Sequence, residues 1–499
     1  MDQVIDSVDF QESIAEESQR VKKFPNFLKL LFFVEMWERF SYYGMRALLV
    51  IFLTSQLGFE DKKAYAIYSV FAAIGYMGPV LGGVLADKLL GFRNMVLIGG
   101  VIITLGHASM VLVELNQDLI YLGLALIAVG TGMFKGNITN LLGSCYDAHD
   151  PERARGFTLF YVGVNLGSFL AAISCGFVAH LYGWHYGFGL AGIGMAVGLF
   201  TFIKFDYVLQ DRDMVTRPDI IKRKLLRINT QYMVFSGCIL LAIVAAKVIM
   251  HSETFANILA VTGAFIFSIF AYLLFRLPGQ QRRNLLVLSL LIVFFMLFFA
   301  LEMQLGSLIN LFTQRNVVSE VLGIPIPAAV SQAINPLSII ILGGMLGLYM
   351  KFDRKYSTAI FAFGVLTMSI CFFVLYLGCL NANSEGKVEY LYLLIGISFM
   401  GLGELCIGPL LQEQATLLAP KGLKGMIMGI VMLALAFSNL VGVIIAKFMS
   451  VPGVNGEVNP LESLAIYQEG FRDIALFNLG LVAVFLLFYK FINKVIIRQ

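Results

Sequence analysis

Four charged side chains lie in a segment that is otherwise apolar enough for a membrane. The segment 34–50 reads VEMWERFSYYGMRALLV, and its charged residues are Glu35, Glu38, Arg39 and Arg46. On a helix, at 100° per residue, these four share an arc of about 140° with Tyr42 and Tyr43. An ion at the centre of a bilayer costs roughly 2.5–3.5 kcal/mol. The charges must therefore line a watery cavity or pair with one another inside the protein.

Three further ionisable residues lie within long apolar segments. They are Lys135 in GTGMFKGN, Glu302 in FFALEMQLGS and Glu404 in GLGELCIGP. Ionisable residues inside a membrane are rare and usually mark ion or substrate pathways. Among these intramembrane charges, three cations and two acids lie in the first half of the chain and two acids in the second. The cavity would then be net positive on one side and negative on the other, which suits a small zwitterion. A protonatable buried Glu would also couple transport to protons. The alternative is that these charges form structural salt bridges only.

The composition indicates a membrane protein with many spans. The chain has 499 residues, of which 59% are hydrophobic and 14% charged, whereas soluble proteins carry about 25% charged residues. The six Cys form no CxxC pair, so neither a metal site nor a disulfide framework is expected. No HExxH or GxSxG motif is present, and no segment outside the membrane is long enough for a catalytic domain. We expect no enzyme activity, no cofactor other than protons as coupling ion, and no nucleic-acid partner.

Segments of about 20 mainly apolar residues predict the membrane-spanning helices. Fourteen candidates are found, at 28–56, 64–88, 92–114, 118–144, 156–182, 184–207, 231–250, 256–277, 285–313, 327–350, 357–380, 390–418, 424–449 and 470–492. The fold class is therefore an all-α membrane protein. The predicted parts are a tail (1–27), a six-helix bundle (28–207), a linker with a two-helix hairpin (208–284) and a second six-helix bundle (285–499).

Lys and Arg in the loops predict the orientation. With a cytoplasmic N-terminus, about 25 of them lie inside, and 4 lie outside, at Lys62, Lys63, Arg315 and Lys387. Both termini are thus predicted to be cytoplasmic, which agrees with an even number of spans. The short outer loops favour the inner membrane of a bacterium.

The stretch GGVLADKLLGFR (82–93) joins the second and third spans. Asp87 and Arg93, with Gly83 and Gly91, resemble a cytoplasmic signature of the major facilitator superfamily. There an acid and a base latch helix ends while glycines make a tight turn. We expect a role for Asp87 and Arg93 in gating rather than in ligand contact.

Five motifs, in order along the chain, resemble the proton-dependent oligopeptide transporter family of that superfamily. They are ExxERFxYYG from Glu35, Tyr76 eleven residues before Asp87, FTLFYVGVNLGSF (157–169) with Tyr161 and Asn165, QAINP (332–336) with Asn335, and Glu404 fifteen residues before Ala419. The match covers nearly the whole chain. It implies the major facilitator fold, with two six-helix bundles and, as in bacterial members, an extra hairpin, giving 14 transmembrane helices.

The resemblance implies a role for each site residue. Proton coupling would involve Glu35, Glu38, Arg39 and Glu302, with Lys135 as ion-pair partner of the first-span acids. Arg46 would pair with Glu302 at the extracellular gate and also help to bind carboxylate. The peptide's backbone and carboxylate end would contact Tyr42, Tyr76, Lys135, Tyr161 and Asn165. Its amino end would be held by Asn335 and Glu404.

The sequence departs from the family at three positions. Met303 stands where an acid usually precedes the glutamine, and Glu302 lies one residue earlier, which turns its carboxylate by about 100°. Val431 replaces a usual Trp, and Gly136 replaces the Pro after Lys135. These changes bear on the proton site, on a side-chain pocket and on a helix kink.

The prediction is a proton-coupled importer of di- and tripeptides that works as a monomer by alternating access. Its partners would be small peptides, protons and the lipid bilayer. Transport of another small substrate, such as nitrate, histidine or a drug, stays open, as does a transceptor that does not transport.

Overall fold

The chain is almost entirely helical. A computed structural model describes residues 24–147, 150–209, 224–225, 228–254, 263, 268, 271–272, 274, 276–321, 323–349, 354–420, 424–452 and 458–497. Within them, the strands are two antiparallel pairs of two residues each, Lys224–Leu225 with Ile228–Asn229 and Glu320–Val321 with Ile324–Pro325. The predicted all-α class is confirmed.

Fourteen α-helices of the described residues are numbered in chain order. They are α1 Asn26–Ile51, α2 Asp61–Leu85, α3 Phe92–Val111, α4 Leu119–Ser144, α5 Glu152–Tyr182, α6 Trp184–Lys204, α7 Thr230–Met250, α8 Gly279–Glu302, α9 Leu308–Asn316, α10 Ile334–Tyr349, α11 Ser357–Leu380, α12 Tyr390–Leu418, α13 Lys424–Phe448 and α14 Pro460–Ile497. Short π-helical turns extend α1 over Phe52–Gln56 and α2 over Ala86–Leu90.

Twelve helical segments of the described residues are long and apolar enough to cross a membrane. The charged α1 is not among them, but its 26 residues would span about 39 Å at 1.5 Å per residue. Thirteen of the fourteen predicted spans therefore correspond to a described helix or helix pair. Most of the remaining prediction, 256–277, lies outside the described residues.

The segment 285–313, predicted as one helix, is broken. Helix α8 ends at Glu302, a 3₁₀ turn covers Met303–Gly306, and α9 begins at Leu308. Ser307 between them has φ −124° and ψ −93°, which is not helical. The broken segment is buried in the middle of the protein, at Met303–Gly306.

Glycine allows the tight turns and close helix contacts of the first six helices. Gly91 has φ +80° and Gly183 has φ +109°, a region that residues with a Cβ rarely adopt, and these residues join α2 to α3 and α5 to α6. Helices α2 and α4 touch at Gly78 and Gly132, where a Cβ on Gly78 would lie 2.6 Å from the Gly132 Cα. The α2–α4 contact therefore requires glycine.

Replacing Gly78 by Ala should destabilise the protein because backbone has to move to admit the methyl group. Overpacking of this kind costs about 1–3 kcal/mol. The measurement is the thermal unfolding midpoint of the detergent-solubilised protein. Gly75→Ala is the matched control on the same helix, since a Cβ there meets nothing within 4 Å. Equal midpoints for the two variants would contradict the close packing of α2 on α4.

Helix α7, the first of the predicted hairpin, packs on the edge of the first six helices. It contacts α4, and its buried residues Cys238, Ala242, Ala245 and Ile249 repeat with a helical period on one face. Beyond α7, a Cβ on Gly263 would lie 2.7 Å from the Phe437 ring of α13. The insert therefore contacts helices that precede it in the chain and helices that follow it.

The helices that precede the insert (α1–α6) contact the helices that follow it (α8–α14). Helix α2 packs on α13, and α5 packs on α10. At the first of these contacts Ala73 and Met77 lie against Phe437 and Leu440.

Candidate functional site

The charged residues in the middle of α1 form one buried cluster. Arg39 Nε lies 3.2 Å from Glu35 Oε1, and the same guanidinium donates to Glu38. Glu35, Glu38 and Arg39 are 2%, 0% and 1% exposed, so none of them faces lipid. Two carboxylates share one cation, and the Glu35 Oε2 and Glu38 Oε1 atoms have no hydrogen-bond partner among the described residues. Either of these carboxylate oxygens can therefore accept a proton.

The opposite face of α1 packs tightly against α5 and α6. A Cβ on Gly44 would lie 2.7 Å from Cys175 Sγ, and one on Gly194 would lie 2.5 Å from the Phe40 ring. On α5, a Cβ on Gly167 would lie 2.2 Å from the Met36 carbonyl oxygen. The charged stripe therefore faces the interior of the bundle, as its helical period predicts.

Arg46, two turns further along α1, is held mainly by uncharged groups. Its Nε donates to the Tyr68 hydroxyl over 2.6 Å, and its Nη2 approaches Met303 Sδ at 3.6 Å. The Glu302 carboxylate is further away, with Oε1 at 3.9 Å from Nη2. The predicted pairing of Arg46 with Glu302 is thus at the outer limit of a salt bridge in this structure.

Glu302 and Met303 both line the same central cavity. On a continuous helix the one-residue shift would turn the carboxylate away by about 100°. Both side chains nevertheless line the cavity, which lies beside the break after Glu302. Glu302 can therefore approach Arg46 despite its displaced position in the sequence.

A cavity of about 60 Å³ lies between two groups of helices, those before the insert (α1–α6) and those after it (α8–α14). Its lining is partly polar and partly apolar and comes from both groups, with Tyr43, Arg46, Tyr76, Asn165, Ser168 and Ala172 from one and Phe299, Glu302, Met303, Leu305, Gln332, Asn335, Pro336, Ile339 and Glu404 from the other. Its charged members are a cation from the first group and two acids from the second. Opposite charges on its two sides suit a dipolar ligand.

Asn335 and Glu404 form a pair on the acidic side of the cavity. Asn335 Nδ2 donates to Glu404 Oε2 over 3.2 Å, which joins α10 to α12. Asn335 is 7% exposed, and its Oδ1 has no partner among the described residues. A carboxylate with an amide oxygen beside it can accept hydrogen bonds from an ammonium group.

The remaining predicted ligand residues are arranged in different ways. Lys135 Nζ lies over the Tyr76 ring at 4.8 Å, and among the described residues it has no carboxylate within 4 Å, so the predicted ion pair with the α1 acids is not formed here. Tyr42 is buried, stacks on Phe71 and lies beneath Arg39, while its neighbour Tyr43 lines the cavity.

On α5, Asn165 lines the cavity and Tyr161 precedes it by one turn. The Asn165 amide donates to the Tyr161 carbonyl oxygen over 3.0 Å. The Tyr161 side chain is 40% exposed and is not part of the cavity lining in this structure.

The predicted latch residues Asp87 and Arg93 lie at the end of α2 and the start of α3. Arg93 pairs with Asp206, which follows α6, and Asp87 is exposed. Arg93 therefore ties α3 to the end of the first six helices.

At the predicted extracellular end, the two groups of helices are joined by contacts that the sequence analysis missed. Asp61 of α2 accepts two hydrogen bonds from Arg315 of α9, both 2.7 Å long, and a third from the Val451 amide. The Asn310 amide donates to the Ala47 carbonyl oxygen over 2.9 Å. Arg315 is one of the four Lys and Arg residues outside, which was the only available signal. We call the Asp61–Arg315 pair the outer latch.

In the part of the chain that the structure describes, no group of three His, Cys, Asp or Glu side chains could hold a metal ion. The charged and polar side chains around the cavity can form ion pairs and hydrogen bonds with a ligand.

Comparison with known proteins identifies the family. The sequence model of the POT family matches residues 93–461. The chain belongs to the POT family. It is 33% identical over 476 residues to dipeptide and tripeptide permease A of Edwardsiella piscicida, which covers 95% of this chain and 96% of the relative.

Other POT relatives agree. The dipeptide and tripeptide permease A of Escherichia coli (strain K12) is 32% identical over 455 residues, 91% of this chain and 89% of the relative. A structure solved to give insights into substrate recognition in proton dependent oligopeptide transporters has a TM-score of 0.82 and 26% identity, covering 94% of this chain and 99% of that chain. The predicted family and its major facilitator fold are confirmed, and this POT protein is a multi-pass membrane protein.

Neutralising the outer latch should open the predicted extracellular end. Removing one partner of a buried ion pair costs about 3–5 kcal/mol, and Asp61 and Arg315 side chains are 4% and 12% exposed. In Asp61→Asn, a cysteine replacing Ala172 in the cavity should react at least tenfold faster with an impermeant thiol reagent added outside. The charge swap Asp61→Arg with Arg315→Asp should slow the reaction again.

The control for the outer latch is Asp473→Asn, which removes one partner of an exposed pair with Arg472. It should leave the labelling rate of the cavity cysteine unchanged. Labelling that is as slow in Asp61→Asn as in the parent would show that this pair does not keep the outer end closed.

Proposed function

We propose that this POT protein is a proton-coupled symporter that imports di- and tripeptides by alternating access. The observation that carries the proposal is the central cavity, which presents Arg46 from one group of helices and Glu302 and Glu404 from the other. A short peptide has opposite charges at its two ends, and these match the two sides. The curated relatives at 31–33% identity are dipeptide and tripeptide permeases, which supports this substrate class.

The peptide would lie across the cavity. Its carboxylate would face Arg46, with Tyr76, Lys135 and Asn165 nearby, and its ammonium would face Asn335 and Glu404. Tyr42 and Tyr161 do not line the cavity in this structure, so they would contact the peptide at other stages of the cycle. Guanidinium and ammonium groups pair well with carboxylates in sites that exclude water.

The count of charges supports coupling to protons. Seven Arg, Lys and Glu side chains belong to the α1 cluster and the proposed peptide site, namely the cations Arg39, Arg46 and Lys135 and the acids Glu35, Glu38, Glu302 and Glu404. Their net charge is −1 when all are ionised, and a zwitterionic peptide leaves it unchanged. One proton therefore makes the loaded site neutral, which lowers the cost of closing it off from water on both sides.

The cycle would alternate the opening of the two ends. In this structure the outer latch joins the groups at one end, so a change of state has to break it. The bundles 28–207 and 285–499 would rock about the cavity, with Asp87 and Arg93 acting in the cytoplasmic gate. One proton moving through 100 mV supplies about 2.3 kcal/mol, enough for roughly fifty-fold accumulation of peptide.

The proposal includes the setting of the protein. We place it in the inner membrane of a bacterium with both termini in the cytoplasm, because about 25 Lys and Arg lie on that side against 4 outside. It would act as a monomer, with small peptides and protons as its partners, no further cofactor and no enzymatic reaction.

The test is uptake of labelled dialanine by proteoliposomes with an inward proton gradient. We expect saturable accumulation that a protonophore abolishes and that unlabelled dialanine inhibits. Labelled alanine and nitrate serve as comparison substrates and should not accumulate. Accumulation of either in place of dialanine, or dialanine uptake that ignores the gradient, would overturn the proposal.

A further inference from the structure

Tyr68 has no role in the proposed cycle so far, yet it makes the shortest described contact of Arg46. It lies on α2, two turns before Tyr76, and is 1% exposed. Arg46 Nε donates to its hydroxyl over 2.6 Å. The Tyr68 and Tyr43 ring centroids also lie 5.8 and 5.5 Å from the Arg46 guanidinium carbon. Two aromatic rings and one phenol oxygen thus determine where this cation lies.

The contact between Tyr68 and Arg46 depends on a glycine in the broken segment after α8. A Cβ on Gly306 would lie 2.2 Å from the Tyr68 hydroxyl oxygen and 2.9 Å from Arg46 Nε. The helix break therefore packs directly on the hydrogen bond. A side chain at position 306 would push the phenol and the guanidinium apart, because real Cβ atoms do not approach other atoms so closely.

The partners that hold Arg46 most closely are neutral. The phenol takes the Nε hydrogen, and the Met303 thioether lies at 3.6 Å from Nη2, nearer than the Glu302 carboxylate at 3.9 Å. An arginine has five N–H donors in a planar fork, so a bond to Nε leaves the two Nη groups for other acceptors. Neutral partners fix the position of the guanidinium without cancelling its positive charge.

We propose that Tyr68 is a positioning residue that fixes Arg46 by a neutral hydrogen bond, so that its charge stays available to the carboxylate of the substrate. The inference rests on the proposed function, since it concerns how the same cavity recognises one end of a peptide. It assigns to Tyr68 the selection of substrates that carry a free carboxylate. Without the phenol hydroxyl, the guanidinium can turn toward Glu302, and the two charges then satisfy each other.

The test compares dialanine with dialanine amide, which keeps the ammonium group and lacks the carboxylate. Both compete against labelled dialanine in counterflow exchange by proteoliposomes, with no proton gradient. For the unchanged protein we expect at least tenfold tighter competition by dialanine. In Tyr68→Phe, the KM for dialanine should rise about tenfold, while kcat and the inhibition constant of the amide stay within twofold. The preference for the free carboxylate then falls to about twofold or less.

Two further variants separate positioning from packing. Tyr65→Phe removes a hydroxyl from an equally buried tyrosine one turn earlier on α2 and should keep the tenfold preference. Gly306→Ala should lose the preference as Tyr68→Phe does, because its Cβ displaces the same hydrogen bond. Thermal unfolding midpoints of the purified variants confirm that each one is folded.

The outcomes distinguish this inference from the proposed function. If the unchanged protein and Tyr68→Phe both exchange dialanine and both prefer it tenfold over the amide, the role of Tyr68 is overturned. Peptide transport is unaffected by that result. An equal rise in KM for dialanine and in the inhibition constant of the amide would also overturn it, since that pattern reflects general damage to the cavity. If the unchanged protein neither binds nor exchanges dialanine, the proposed function is wrong and the inference falls with it.

Discussion

Replacing Glu35 by Gln abolishes proton-driven accumulation of dialanine, with an expected loss of at least fiftyfold, while counterflow exchange of dialanine stays within about threefold of the unchanged protein. The loss corresponds to the accumulation that one proton can drive across 100 mV. The two assays use the same proteoliposomes and differ only in the gradient applied.

The expected separation of the two activities follows from the α1 cluster. Arg39 is shared by Glu35 and Glu38, with Nε 3.2 Å from Glu35 Oε1, so one cation faces two carboxylates in a buried place. The uncancelled charge is costly there, and a proton relieves it. Glutamine has the shape and neutrality of the protonated side chain. The variant therefore always resembles the protonated, peptide-carrying state and has no proton to release.

The control for Glu35→Gln is Glu114→Gln, which changes an exposed acid that contacts His185 near the predicted extracellular end. Accumulation should be unaffected there, because that carboxylate lies outside the bundle interior. Normal proton-driven accumulation by Glu35→Gln would contradict the assignment of proton coupling to the cluster. Loss of exchange together with accumulation would indicate a folding or gating defect instead.

Replacing Glu404 by Gln raises the KM for dialanine about a hundredfold. The Glu404 carboxylate is the acid nearest to Asn335, which donates to it over 3.2 Å, and the pair faces the cavity. A hydrogen bond between charged groups contributes about 1.5–3 kcal/mol, and the upper value corresponds to roughly a hundredfold. The remaining amide accepts a hydrogen bond but carries no charge to attract an ammonium.

N-acetyl-dialanine identifies the group that Glu404 recognises. This compound lacks the ammonium group, so it should bind weakly to the unchanged protein. Its inhibition constant should not rise further in Glu404→Gln. Glu389→Gln is the matched control, because Glu389 directly precedes the same helix α12 and is exposed. An equal loss of affinity for dialanine and its acetylated form would show that Glu404 does not bind the amino end.

The arrangement of α1 could be predicted from sequence because it depends on local geometry. A period of 100° per residue places Glu35, Arg39 and Arg46 on one side, and the cost of burying charge in lipid turns that side inward. The opposite side then has to pack, as Gly44 does against Cys175. Both consequences need only the helix and the membrane, without knowledge of any partner.

The family motifs placed individual residues but could not supply the contacts between them. Asn335 and Glu404 were expected at the amino end of the peptide, and the structure places them in one hydrogen-bonded pair. The expected contact of Lys135 with the α1 acids is replaced by the Tyr76 ring. Ion pairs of this kind differ between states of a transporter, so a motif cannot say which pair one conformation contains.

The contacts that sequence reasoning missed link residues far apart in the chain. Asp61 and Arg315 are 254 positions apart, and nothing in either neighbourhood indicates that they meet. Tyr68 stands in a helix of ordinary apolar composition, and its role depends on Gly306 in the break after α8. No proline in 300–308 signals that break, so the Glu302–Met303 departure could be noticed in the sequence while its outcome could not be predicted.

The most direct test of the central claim, a cavity with two opposite charges for a dipolar peptide, is a competition series on the unchanged protein. Dialanine, its C-terminal amide, its N-acetyl form and the doubly blocked compound compete for exchange of labelled dialanine. We predict at least tenfold weaker competition for each singly blocked compound and no measurable competition by the doubly blocked one. Equal competition by all four compounds would contradict the claim that Arg46 and Glu404 recognise the two ends of the substrate.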